Sequence, residues 1–157
     1  MIKQVSFFKR RKDLSPEDFR EHWRIKHADI VRRLNGLARY VQNHGLDSSS
    51  GFDGIAEVWF EDMESMRANV GTPELEAIRK DEENFIDSST MGTILTNEYV
   101  IKETERVVVD QKLMALVNRL EHNDSATFHS IYRDQLGPLV AAVPGINRYV
   151  QAHTRPG

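Results

Sequence analysis

The chain has no cysteine among its 157 residues. That excludes disulfides, thiolate nucleophiles and cysteine-based metal sites. It also lacks an excess of one charge: 21 basic and 24 acidic residues are mixed throughout, for a net charge of −3. A basic stripe of the kind that tracks nucleic-acid phosphates is missing. The one basic run, Lys9-Arg10-Arg11-Lys12, falls between a strand pattern and a helix start and reads as a solvated turn. No apolar run approaches the length of a membrane span, and Met1 leads directly into a strand pattern without a signal-like segment. There is no glycine-rich phosphate loop, nucleophile elbow or dinucleotide fingerprint. His22 and His27 are five residues apart, so they do not stack on one helix face as an i, i+4 ligand pair would. No metal and no cofactor are expected, nor a nucleic-acid or membrane partner, and the absences together point to a soluble, cytoplasmic protein.

What the chain does have is a repeat. Gly36-Leu37-Ala38-Arg39-Tyr40-Val41-Gln42-Asn43-His44 returns as Gly145-Ile146-Asn147-Arg148-Tyr149-Val150-Gln151-Ala152-His153. At the same offset Phe19 meets Phe128, Trp23 meets Tyr132, Arg24 meets Arg133 and Val31 meets Val140. One unit is written twice. The second copy reaches Gly157 where the first is only at Ser48.

The elements follow from periodicity and punctuation. Ile2 to Lys9 alternates like a strand. Ser15-Pro16-Glu17-Asp18 opens a helix, with serine as N-cap, proline in the first turn and acids beside the dipole. Phe19, Trp23, His27, Ile30/Val31 and Leu34 recur at spacings of three and four and form one buried stripe. Gly36 ends that helix. Leu37 to His44 and Asp53 to Phe60 read as strands, with a flexible loop over Asp47-Ser48-Ser49-Ser50-Gly51 between them. Asp62 caps a short helix to about Asn69, and Thr72-Pro73-Glu74 opens another that carries Leu75, Ile78 and Phe85. Gly92 to Ile101 reads as a fourth strand. The order is βαββαβ, an α+β, ferredoxin-like pattern. Residues 104–110 read as a linker. Lys112 to Arg119, the helix start at Asp124 and Ile146 to His153 then repeat strand, helix and strand. Residues 1–103 are therefore expected to form one domain and 111–157 a partial β-α-β copy, apparently truncated because half a unit cannot complete a sheet. Large side chains on both strand faces predict that the sheet face away from the helices is covered. A second copy of the chain on a two-fold axis can cover it, as can the internal copy as a pseudo-dimer.

Four segments carry a family resemblance: Leu14-Ser15-Pro16-Glu17-Asp18-Phe19 through His22-Trp23-Arg24-Ile25-Lys26-His27-Ala28; Gly36-Leu37-Ala38-Arg39-Tyr40-Val41-Gln42; Phe52-Asp53-Gly54-Ile55-Ala56-Glu57-Val58-Trp59-Phe60; and Asp81 with Asn84-Phe85-Ile86-Asp87. In this order and on these elements they resemble the EthD family of the dimeric α/β-barrel superfamily. The resemblance covers residues 1 to about 103 well and 111–157 more weakly. It implies paired sheets forming a barrel. It does not fix a reaction, because the superfamily holds cofactor-free monooxygenases, lactone isomerases, polyketide cyclases, haem enzymes and proteins without assigned chemistry.

His27 is the sharpest chemical candidate. Burial in the apolar stripe lowers its pKa and leaves it neutral, fit to act as a base. The second copy carries Leu136 in its place, so packing alone does not demand a histidine. In similar superfamily enzymes a histidine near this point lines the pocket, with Trp23 expected beside it. Tyr40, Gln42 and His44 alternate on one strand face. Their exact return as Tyr149, Gln151 and His153 speaks for packing, while a catalytic tyrosine matching Tyr40 in a similar lactone isomerase speaks for chemistry. Ile55, Glu57 and Trp59 share one face of the third strand, with Ala56, Val58 and Phe60 on the other. Mid-strand Glu57 requires a partner, for which Arg39 is available, and Trp59 is core or ligand platform. The expected function is binding of a small, largely apolar, oxygen-bearing molecule, with cofactor-independent acid/base chemistry of isomerase, cyclase or dehydratase type in which His27 is the base and Tyr40 the donor. The alternative is a non-catalytic binding or accessory protein of an oxygenase system.

Overall fold

A computed structural model describes residues 1–47, 50–104 and 111–155. The 105–110 part of the linker, residues 48 and 49 of the loop and the terminus at Gly157 lie outside the described residues. The elements are β1 (Ile2–Arg10), α1 (Pro16–His22), a π-helical segment (Trp23–His27), α2 (Ala28–Val31), β2 (Leu37–His44), β3 (Gly54–Phe60), α3 (Met63–Arg67), α4 (Pro73–Glu82), β4 (Ile86–Glu103), α5 (Ser125–Ser130), a second π-helical segment (Ile131–Leu136), α6 (Gly137–Ala141) and β5 (Arg148–Thr154). The chain divides into two compact units, Met1–Asn97 with Thr154–Gly157 and Glu98–His153.

In the first unit the sheet order is β2-β3-β1-β4, with antiparallel neighbours throughout. Its caps are those expected. Ser15 accepts from the Asp18 amide, Asp62 from Ser65 and Thr72 from Leu75. Gly36 takes φ of +67° at the end of the first helical stretch, a conformation that costs glycine nothing. The core lies between helices and sheet and is built from Phe8, Phe19, Trp23, Ala56, Phe85 and Ile86, with Leu14, Tyr40 and Met91 against it. Its aromatic rings pack mostly edge-on or tilted, as in Phe8–Trp23 at 5.1 Å and Phe19–Phe85 at 5.9 Å. Gly54 is required there, since a Cβ would lie 2.6 Å from the Phe8 ring and 2.7 Å from Trp23. On the other sheet face Lys3, Val5, Glu57, Trp59 and Thr96 are also buried.

Two elements differ from expectation. The helix expected to run unbroken past Trp23 is widened to i→i+5 bonding over Trp23–His27, a change with no sequence signature that is common at functional sites. The fourth strand runs from Ile86 to Glu103, well beyond the expected start at Gly92, because Asp87 and Ile86 still pair with Lys9 and Arg10 after a register shift.

In the second unit Asp124 caps α5 by accepting from the Thr127 amide, and Glu98–Glu103 of β4 belongs with β5. The expected strand over Lys112–Arg119 is not formed: residues 111–120 have no regular structure, and Leu113 is 94% exposed. A β-α-β copy is therefore not established, although its helix and last strand are present.

Candidate functional site

The site grows out of the widened turn in the first helical stretch. His27 ends that turn and is buried. Its Nδ1 lies 2.8 Å from Oδ2 of Asp81, in the last turn of α4. His22 ends α1 and places Nε2 3.0 and 3.1 Å from the two oxygens of the same carboxylate. Phe85 holds both rings: His22 stacks on it at 5.0 Å and His27 meets its edge at 4.8 Å. Exposure falls from 18% for the His22 side chain through 13% for Asp81 to 5% for His27.

The electrostatics agree with the sequence expectation. Burial lowers the His27 pKa, and the Asp81 hydrogen bond and charge oppose this without reversing it. Burial of Asp81 favours its protonated form, but the hydrogen bonds from His27 and His22 outweigh it and hold the carboxyl below its usual range. An ionised carboxylate only accepts. His27 therefore donates Nδ1–H to Asp81, which leaves the lone pair on Nε2, an atom with no hydrogen bond among the described residues.

Tyr40, Gln42 and His44 share the helix-facing side of β2, as their alternation predicts. Trp23 Nε1 and Gln42 Nε2 donate to the Tyr40 hydroxyl oxygen at 2.9 and 3.0 Å. With two donors on that oxygen, the hydroxyl's own hydrogen is left to donate elsewhere. Burial raises the Tyr40 pKa, so the phenol is a neutral donor. Glu82, next to Asp81, acts on Tyr40 by its charge. The adjacent Asp81 and Glu82 thus address His27 and Tyr40. Glu82 is half-buried and pushed up to about 7, chiefly by burial. The His44 ring packs on Trp23 at 4.5 Å, and burial lowers its pKa.

Gln42 has a further bond that sequence reading did not foresee: its Nε2 donates to the Trp23 carbonyl at 2.7 Å. The second unit has the same arrangement, with Gln151 Nε2 donating to the Tyr132 carbonyl at 2.7 Å and to the Tyr149 hydroxyl at 2.9 Å. In both units this glutamine pins the strand to the first residue or second residue of a π-helical segment. Gln42 is thereby accounted for as a structural clamp. Gln42→Ala should cost about 1–2 kcal/mol in denaturant unfolding through loss of these bonds; an unchanged midpoint would show that the clamp is slack.

The structure separates the other expected site residues. Glu57 and Trp59 lie on the sheet face opposite to Tyr40, Gln42 and His44, so they do not line one site with His27. Arg39 is not the partner of Glu57. Register places Arg39 opposite Trp59 and Val41 opposite Glu57, so the Arg39 guanidinium lies over the Trp59 ring at 4.8 Å. Glu57 instead pairs with Lys3 and accepts from Asn43 at 2.9 Å. Asp81 and Glu82 received no role from the sequence. Asp81 was visible only as part of a motif, and its meeting with His27 spans 54 residues, beyond any local signal.

Among the described residues no group of three His, Cys, Asp or Glu side chains is placed to hold a metal, and no helix is long and apolar enough to cross a membrane. A surface depression of about 340 Å³ opens at His22, lined by Leu14, Asp18, Glu21, Ile25 and Lys26.

The EthD domain model matches residues 11–89, half of the chain, across all the residues of this cluster. The chain belongs to the EthD family. Solved structures agree on the fold. An ethyl tert-butyl ether D (EthD) family protein from Bacillus halodurans is 24% identical, with a TM-score of 0.52 over 60% of this chain and 95% of its own. A dimeric ferredoxin-like protein of unknown function from Thermobifida fusca is 15% identical, with a TM-score of 0.50 over 60% and 87%. A protein from Arabidopsis thaliana is 20% identical, with a TM-score of 0.50 over 69% and 100%. No curated protein matches the chain. The EthD unit is thus a ferredoxin-like α+β domain, and the identities to these structures speak to its fold alone.

Proposed function

We propose that the EthD unit binds a small, largely apolar, oxygen-bearing molecule and moves a proton on it without a cofactor. The observation that carries this reading is the Asp81–His27 pair: a buried, neutral imidazole whose Nδ1–H is held by a carboxylate, at a position where the second unit has Leu136. In this mechanism His27 Nε2 takes a proton from a carbon next to a carbonyl group. Asp81 stabilises the imidazolium that forms, and the free hydrogen of Tyr40 bonds to the carbonyl oxygen as charge develops there. Return of the proton to another carbon gives isomerisation; its delivery from His27 to a departing β-hydroxyl oxygen breaks that C–O bond, releases water and gives dehydration. Trp23 and His44 serve as supporting walls, and Glu57 and Trp59, on the other face, as structural residues.

The test begins with small molecules that co-purify with the protein, identified by mass spectrometry and then used as probes. His27→Leu copies the second unit's own residue and should fold, with stability changed by at most about 1–2 kcal/mol. Binding or turnover of the probe should fall at least about 100-fold. A folded variant with unchanged binding and turnover would remove His27 from the site. A non-catalytic accessory protein is the second reading, favoured by the return of Tyr40, Gln42 and His44 in a copy without the histidine. Retained binding with no turnover of any probe in the wild type would select it. We also read residues 111–157 as a partial second unit, and the protein as cytoplasmic and as a homo-oligomer or intramolecular pseudo-dimer. The Thermobifida fusca neighbour is described as dimeric, and light scattering distinguishes the two assemblies.

A further inference from the structure

We propose that His22 is a positioning residue that sets the basicity of His27 by sharing the Asp81 carboxylate with it. This rests on the reading of His27 as the base. Three observations carry it. Both imidazoles reach one carboxylate, His27 at 2.8 Å and His22 at 3.0 and 3.1 Å. Both rings pack on the same Phe85 side chain, one stacked and one edge-on. His22 lines the surface depression, whereas His27 is buried behind Asp81.

A carboxylate divided between two N–H donors stabilises each imidazolium less than one devoted to a single ring. The charge of His22, when present, opposes a second positive charge on His27 directly. The ionisable groups acting on His27 are Asp81 from α4 and His22 from its own helical stretch; Phe85, the other side chain packed on it, is apolar. The groups around His22 are Asp81 beneath it and Asp18, Glu21 and Lys26 in the depression. His22 thus adds to the burial that keeps His27 unprotonated, while Asp81 keeps it oriented. Asp81 alone would orient the ring but make it a cation more readily, which is unfit to accept a proton.

The experiment is a pH titration of the imidazole nitrogens of the full chain by NMR, in the wild type, His22→Phe and His22→Gln. Phenylalanine keeps the ring volume and the stack on Phe85 but removes the donor. Glutamine places an amide N–H near the position of Nε2. His22→Phe should raise the apparent pKa of His27 by roughly half a unit to one unit. His22→Gln should restore most of the wild-type value, and Nδ1 should carry the proton of neutral His27 in all three proteins. A His27 titration unmoved by His22→Phe overturns the proposal, because a merely structural His22 would alter stability without shifting that curve. If His22→Phe does not fold, the wild type still decides. Coupling through Asp81 requires that the His27 curve depart from that of a single independent site, and a single independent curve overturns the proposal. The outcome is separate from the proposed function: unchanged binding and turnover in His27→Leu would sink the base while leaving the coupling of the two histidines intact.

Discussion

Phe85→Ala is expected to destabilise the protein by about 3–5 kcal/mol, the range for deleting a fully buried phenylalanine. Phe85 is 0% exposed and lies in the short step between α4 and β4. Its ring meets Phe8 at 6.3 Å, Phe19 at 5.9 Å, His22 at 5.0 Å and His27 at 4.8 Å. The cavity cannot collapse easily, because the chain there is held by the Arg11 amide donating to the Phe85 carbonyl at 2.9 Å and by β4 pairing from Ile86 onward. The same substitution removes the surface that orients both histidines. It should therefore broaden or merge their NMR signals in addition to lowering the denaturation midpoint. Phe85→Leu leaves a smaller void and should lose about 1–2 kcal/mol. A Phe85→Ala loss below about 1 kcal/mol would mean that the aromatic cluster is not the core of this unit.

Much of this arrangement is legible in the sequence where the signal is local. Leu37–His44 is a strand with the expected ends, because Gly36 and Gly45 bracket an alternating run. The Ser15-Pro16 and Thr72-Pro73 starts are caps with a mechanism, and both occur. The burial of His27 follows from its place in the Phe19–Trp23–Val31 stripe. What failed depends on distance in sequence. The π-helical widening at Trp23 is stabilised from outside by Gln42, 19 residues away, and nothing in the helix itself announces it. Arg39 and Glu57 looked like partners from charge alone, but register decides who stands opposite whom, and register is a property of the assembled sheet. Lys112–Arg119 has the apolar content of β1 yet forms no strand. Alternation is necessary for a half-buried strand and does not by itself create one. The family motif drew attention to Asp81, but only the folded chain brings it to His22 and His27.

Glu82 makes the last prediction, and the sign follows from its burial. Its carboxyl is raised from 4.5 to about 7, mainly because burial penalises the charged form, with Asp81 adding to the shift and the Arg79 charge opposing it. The folded protein therefore holds this proton more tightly than the unfolded chain does. The associated stability is fully present below pH about 4.5 and is lost as pH rises through about 7. Glu82→Gln keeps the shape and has no proton to lose. The variant and the wild type should have nearly equal stability at pH 4, and at pH 8 the variant should be more stable by roughly 1–3 kcal/mol, solvent access trimming the full value of the shift. Burial lowers the His27 pKa, but His27 is present in both proteins, so its contribution largely cancels in the difference. Unfolding free energies measured from pH 4 to 8 check this, and a difference that does not change with pH would show that Glu82 ionises as an ordinary surface carboxylate. The ionised form would also place a negative charge near Tyr40, raising its pKa further. A ligand that takes a hydrogen bond from Tyr40 then faces a stronger donor at pH 6, with Glu82 neutral, than at pH 8, and the Glu82→Gln variant should not discriminate between the two.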